Sequence, residues 1–119
     1  METPGHTKGT ISFFLNIVEN GKTYRAGSFG GAGANTLGKN TQEFEGAREA
    51  YRNSLARLRK EKVDLFIGNH CWNNGTYEKS LKLLETGENT FLDDTLFAKF
   101  LDFCEERVDR LEKAEAQQG

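Results

Sequence analysis

Residues 10–18, Thr-Ile-Ser-Phe-Phe-Leu-Asn-Ile-Val, set the main constraint on what this chain can become. Drawn as a strand, they place Ile11, Phe13, Leu15 and Ile17 on one face and Ser12, Phe14, Asn16 and Val18 on the other, because strand side chains alternate with period two. Apolar residues on both faces ask for at least partial cover on both sides. Asn20-Gly21 follows, and Asn-Gly between apolar runs signals a tight hairpin. A return strand is expected over about 23–29.

The remaining elements supply cover for one face only. Between 41 and 60 the apolar positions Phe44, Ala47, Tyr51, Leu55 and Leu58 form one helical stripe, with Thr41 as N-cap and Gln42 and Glu43 suited to the first turn. Val63-Asp64-Leu65-Phe66-Ile67 reads as a short, largely buried strand ending at Gly68. A short helix over 77–84 is stopped by Gly87. Asp93 or Asp94 caps a last helix with Leu96, Phe97, Phe100, Leu101, Cys104, Val108 and Leu111 inward, and its polar tail, 112–119, is expected to fray. The fold class is therefore α+β: antiparallel hairpin, helix, short strand, two helices. Three strands with helices on one face leave the other face bare, so a second layer belongs to another chain or these residues are part of a larger domain.

Length and charge agree with such a unit. A chain of 119 residues suits one domain or part of one. Its 16 basic and 18 acidic residues give a net charge of -2, without the electrostatic signature of a nucleic-acid binder. No apolar run approaches the ~18 residues of a membrane span, and Met1-Glu2-Thr3-Pro4-Gly5-His6 has neither the basic start nor the apolar stretch of a signal peptide. The expectation is a cytoplasmic protein with no nucleic-acid or membrane partner. Cys71 and Cys104 form no Cys-x-x-Cys motif; Cys104 reads as a small buried apolar residue, and Cys71 as a poor thiolate ligand because it points away from its neighbour His70.

Three places carry chemistry. His6, within Pro4-Gly5-His6-Thr7-Lys8-Gly9, lies in a turn just before the first strand, and glycine lets the backbone approach closely there. His70, in Gly68-Asn69-His70-Cys71-Trp72, lies where the buried strand ends, and functional groups collect at strand ends. These are the chain's two histidines, and both occupy Gly-flanked turns at strand ends. The third place is the glycine-rich loop after the hairpin. Gly33-Ala34-Asn35-Thr36-Leu37-Gly38-Lys39-Asn40 is one residue from a phosphate-binding loop, with Asn40 where the hydroxyl residue would stand. The plainer reading is a flexible loop bordering a site.

Taken together, Thr3-Pro4-Gly5-His6-Thr7 before a hairpin and Asp64-Leu65-Phe66-Ile67-Gly68-Asn69-His70 closing a strand resemble the metallo-β-lactamase fold. More narrowly, the chain is similar to the C-terminal half of hydrolases near the third subclass of metallo-β-lactamases. The resemblance implies half of an αβ/βα sandwich, which accounts for the missing layer, and a dinuclear zinc site with His6 on the first zinc and His70 on the second. In such enzymes the zinc pair activates water for attack on a carbonyl or phosphoryl centre. Where other branches of the family place an Asp after the hairpin, this chain reads Ala26-Gly27-Ser28-Phe29; Ser28 is the counterpart, supporting a ligand rather than being one. The His-x-His-x-Asp-His motif that completes both sites has no match here, as though the reading frame began at the mid-domain boundary. The resemblance thus implies a half-domain, inactive alone, of a hydrolase acting on a small-molecule substrate. Two alternatives stand beside it: a non-catalytic fragment that pairs its bare sheet face with a copy of itself, as a homodimer or by domain swapping, and a nucleotide-binding fragment using Lys39.

Overall fold

The structure, a computed structural model, describes residues 1–118. The chain runs β1 (Phe13–Glu19), β2 (Lys22–Ser28), α1 (Ala47–Leu58), β3 (Leu65–Phe66), α2 (Cys71–Asn74), α3 (Thr76–Thr86) and α4 (Leu96–Gln118). The hairpin forms as its sequence dictates: Asn20 and Gly21 both take positive φ, 52° and 77°, as a type I′ turn requires. Glu19 pairs with Lys22, and the register continues through Leu15–Ala26 to Phe13–Ser28. β3 adds to β2 in parallel, through Ala26–Leu65 and Gly27–Phe66, with α1 as the crossover. The sheet order is β1-β2-β3.

Several expectations shift: β3 is limited to Leu65–Phe66 where 63–67 was expected, and the one-turn α2 was not expected. Residues 10–12 pair with the N-terminal arm and are not part of β1: Ser12 N–H donates to Met1 O at 2.8 Å, and Ile11 bridges Glu2. α1 starts at Ala47, not Thr41, because Gly46 breaks the run in the left-handed region at φ 83°. Thr41 instead closes a turn, its hydroxyl accepting from Gly38 N–H at 3.1 Å. The tail of α4 is helical to Gln118, held by the ion pairs below.

One face of the sheet carries the core. Phe14, Phe29 and Phe66 meet Tyr51 and Leu55 of α1 and Phe97, Leu101, Cys104 and Val108 of α4. Phe66 stands 5.4 Å from Phe97 and 4.8 Å from Phe100, in edge-on and tilted arrangements. The two helices run antiparallel, as their ion pairs show: Arg48 reaches Glu115, Arg52 reaches Asp109 and Glu112, and Arg59 reaches Asp102 and Glu105. The opposite face is uncovered, with Ile11 59%, Phe13 47% and Leu15 44% exposed. The strand that looked two-sided in sequence is packed on its helix side alone.

Candidate functional site

The turn that holds His6 is built by short side chains. Thr3 N–H donates to Thr10 O at 2.9 Å, closing the ends of the turn, and the hydroxyls of Thr7 and Thr10 meet at 2.9 Å. Thr3 and Ser12, both buried, join hydroxyls at 2.8 Å, and Ser12 Oγ accepts from Gly30 N–H at 3.2 Å. This last bond brings the glycine-rich loop against the turn. A Cβ on Gly30 would lie 1.7 Å from Ile11 O, and one on Gly5 would lie 2.5 Å from Tyr51 Cβ. Glycine at these two positions is a packing requirement.

A row of donors on α1 fixes both loops. Arg48 donates to Leu37 O at 3.0 and 3.2 Å, Tyr51 to Ala32 O at 2.7 Å, Ser54 to Pro4 O at 2.8 Å and Arg57 to Glu2 O at 2.8 Å. Steps of three drift about 60° around a helix each time, so these donors wind along α1 from the loop carbonyls of Leu37 and Ala32 to those of Pro4 and Glu2 in the N-terminal arm. Sequence reading took Tyr51 only as part of the apolar stripe; the spacing 48, 51, 54, 57 was the available signal. Burial pushes the Tyr51 phenol well above its ordinary range, so it stays protonated and donates. Burial also pushes the Cys104 thiol up, consistent with an apolar rather than a chemical role.

His6 Nδ1 lies 2.9 Å from Gly33 O, which can only accept, so Nδ1 carries the proton and donates. Thr36 Oγ1, 3.1 Å from Nδ1, gives its own proton to His6 O at 2.6 Å and therefore faces the ring with a lone pair. In the neutral ring this leaves Nε2 unprotonated, the tautomer and orientation in which a histidine ligates a metal.

His70 stands at the head of α2, its N–H donating to Asn73 Oδ1 at 3.1 Å, and its ring is stacked on Trp72 at 4.2 Å. Asn69 ties this turn to the sheet: its Nδ2 donates to Phe29 O and Gly30 O, each at 2.7 Å. Ser28, buried at the end of β2, donates to Asn69 Oδ1 at 3.3 Å. It acts on the turn carrying His70 and does not itself line the cavity. Asn69 was not singled out in the sequence, although its place after Gly68 at a strand end is the same signal that drew attention to His70.

His6 and His70 line one cleft of about 420 Å³, together with Gly31, Asn35, Trp72 and Arg107. Among the described residues no carboxylate lines it, and Arg107 of α4 is its one side chain of fixed charge. Cys71 is exposed and absent from this lining. Among the described residues no three His, Cys, Asp or Glu side chains converge as a metal cage. Among the described residues the chain's own donor set therefore does not complete a metal site. In the loop, Lys39 N–H donates to Glu115 Oε1 at 2.9 Å and Gly38 N–H to Thr41, so two amides of the phosphate-loop pattern are already engaged, and α1 begins well beyond them.

The sequence matches no family model and no curated protein. Its fold is similar to that of solved structures. Against BJP-1, a subclass B3 metallo-β-lactamase of Bradyrhizobium japonicum, the TM-score is 0.86 with 21% identity, over 99% of this chain and 46% of that one. Against the native FEZ-1 metallo-β-lactamase from Legionella gormanii it is 0.85 with 25% identity, over 99% and 45%. A metallo-β-lactamase from Cronobacter sakazakii with a HARLDQ motif gives 0.83 with 20% identity, over 98% and 46%. The chain spans less than half the length of the structures it matches and has the fold of one part of a metallo-β-lactamase domain.

Proposed function

We propose that this chain, with its partial metallo-β-lactamase fold, is the C-terminal half of a dinuclear zinc hydrolase and is not catalytic alone. One observation carries the reading: two histidines 64 positions apart line the same cleft, and the first is held with Nδ1 donating and Nε2 free. His6 would hold one zinc and His70 the other. When bound, such a pair supplies an activated water and a Lewis acid. The chain's own groups do the positioning. The Thr36 and Gly33 contacts set the His6 tautomer, Ser28 and Asn69 hold the turn that carries His70, and Arg107 favours a small substrate bearing negative charge. A structural or catalytic zinc takes three or four protein ligands, so the remaining donors must come from a segment carrying His-x-His-x-Asp-His.

The test is metal content after dialysis. The 119-residue chain, His6→Ala and His70→Ala should all retain near-zero zinc. A chain extended upstream in its own reading frame should retain a zinc pair and lose metal with either substitution. An upstream frame without the His-x-His-x-Asp-His segment, or metal retention indifferent to both histidines, overturns the reading. A second reading, self-pairing through the sheet, is favoured by the exposure of Ile11, Phe13 and Leu15.

A further inference from the structure

A second cavity, about 370 Å³, opens between β3, α2, α3 and α4 and adjoins the histidine cleft, with Trp72, Asn73 and Phe100 lining both. Its size falls within the range of small-molecule pockets, which are mostly apolar with a few placed polar groups. Phe66, Phe100, Phe103 and Trp72 provide apolar faces, and Lys79 and Lys99 are the charged groups in its lining, with no carboxylate among them. The rings are arranged in series, Phe66 tilted on Phe100 at 4.8 Å and Phe100 nearly parallel to Phe103 at 6.3 Å. Two of these aromatics are unusually open for side chains of their size, Trp72 at 69% and Phe103 at 45% exposure.

The lysines are uncommitted. Among the described residues neither is held in an ion pair, whereas Lys82 on the same helix as Lys79 pairs with Glu88. Asp93, whose charge acts on both, is turned to Thr95, accepting from its amide at 2.9 Å and its hydroxyl at 2.6 Å. Gly75 leaves room for the Lys79 ammonium, because a Cβ there would lie 2.9 Å from Nζ; Glu78 Oε2 would lie 3.6 Å from the same Cβ, but Glu78 is not among the residues lining the groove.

We propose that this groove binds a small amphipathic carboxylate, its apolar body on the Phe66–Phe100–Phe103–Trp72 surface and its carboxylate between Lys79 and Lys99. Charge complementarity selects this occupant: an apolar surface alone would accept any hydrophobe, but two free ammoniums beside it favour an anionic head and oppose a cationic one. Trp72 lines both this groove and the histidine cleft and stacks on His70 at 4.2 Å, so an occupant of the groove contacts the ring that His70 leans on. The proposal is independent of zinc.

The sole tryptophan of the chain lines both the groove and the histidine cleft, so its fluorescence reports binding and the lysine variant below assigns it to the groove. The chain, in EDTA to remove metal, is titrated with decanoate and with 4-phenylbutyrate, and with decan-1-ol and 4-phenylbutan-1-ol as neutral counterparts. Calorimetry gives the stoichiometry. A saturable, one-to-one change in Trp72 emission is expected with a carboxylate, at least tenfold tighter than with its alcohol. The better of the two carboxylates identifies the body as alkyl or aryl. Lys79→Ala/Lys99→Ala, two substitutions away from the core, should remove the preference for the carboxylate and keep alcohol binding and the circular dichroism spectrum. Absence of saturation with both acids, equal affinity for acid and alcohol, or an acid preference that survives loss of both lysines overturns the proposal.

Discussion

At the scale of single residues, the glycines of the loop explain themselves through what they touch. The loop holds the Gly33–Asn40 stretch that suggested a phosphate cradle in sequence, and at its start, at Gly30, the missing side chain is required by Ile11 O, which a Cβ would approach to 1.7 Å. The atom in the way is backbone, so neither partner can swing aside. Gly30→Ala is expected to destabilise the chain by at least the ~1–3 kcal/mol typical of overpacking. Gly9→Ala, in the same His6 turn but with nothing within 4 Å of a Cβ, should change stability by no more than about 0.5 kcal/mol, as surface substitutions usually do. Urea denaturation of the two variants side by side checks this; equal midpoints would mean that the loop is free to move off the turn. The comparison matters for the histidine cleft, because Gly33 O is what sets the tautomer of His6.

At the scale of elements, α1 and α4 are joined by a pattern that was present in the sequence and easy to pass over. Asp102, Glu105, Asp109, Glu112 and Glu115 recur at steps of 3 and 4 along α4, opposite Arg48, Arg52 and Arg59 on α1. Reading each helix for its apolar stripe alone found the buried residues of α4 and missed this acidic one, hence the expectation of a frayed tail. The hairpin, the order of elements apart from the one-turn α2, and the two histidine turns were legible because each rests on a local signal: Asn-Gly, period two, Gly-flanked turns. What was not legible depends on partners distant in sequence, such as the row of α1 donors that meets loop carbonyls up to 55 positions away. Glu115 gives the tail a pH dependence. The Lys39 N–H bond first, and the Arg48 guanidinium next, hold its carboxyl below the usual glutamate range. A carboxyl depressed in the folded state contributes stability that is complete above its unfolded pKa and is lost as pH falls through the folded one. Glu115→Gln should therefore melt below wild type at pH 7, with the gap closing in acid as pH falls below the usual glutamate range. Thermal melts followed by circular dichroism at pH 7 and in acid decide it, and a constant gap across that range would assign the loss to packing instead of charge.

At the scale of the whole molecule, the shape is that of a slab. The radius of gyration is 16.0 Å and the extents are 54 × 27 × 18 Å, against about 13.5 Å expected for a closed domain of this length. The excess has a structural source: all the core lies between one sheet face and two helices, and the second face carries Ile11, Phe13 and Leu15 in the open. Contiguous apolar exposure of this kind marks a surface meant to be covered. In a complete sandwich the other half-domain would cover it; in the self-pairing reading of the 119-residue chain a second copy would. Sedimentation velocity across a dilution series should show the chain associating as concentration rises. Phe13→Lys/Leu15→Lys should remain monomeric at every concentration, with an unchanged circular dichroism spectrum, because both side chains lie outside the core and lysine places charge on the face that must be desolvated for pairing. A wild-type chain that stays monomeric throughout the series would show that this face tolerates water without a partner and would remove the self-pairing reading, while leaving the zinc reading to its own test.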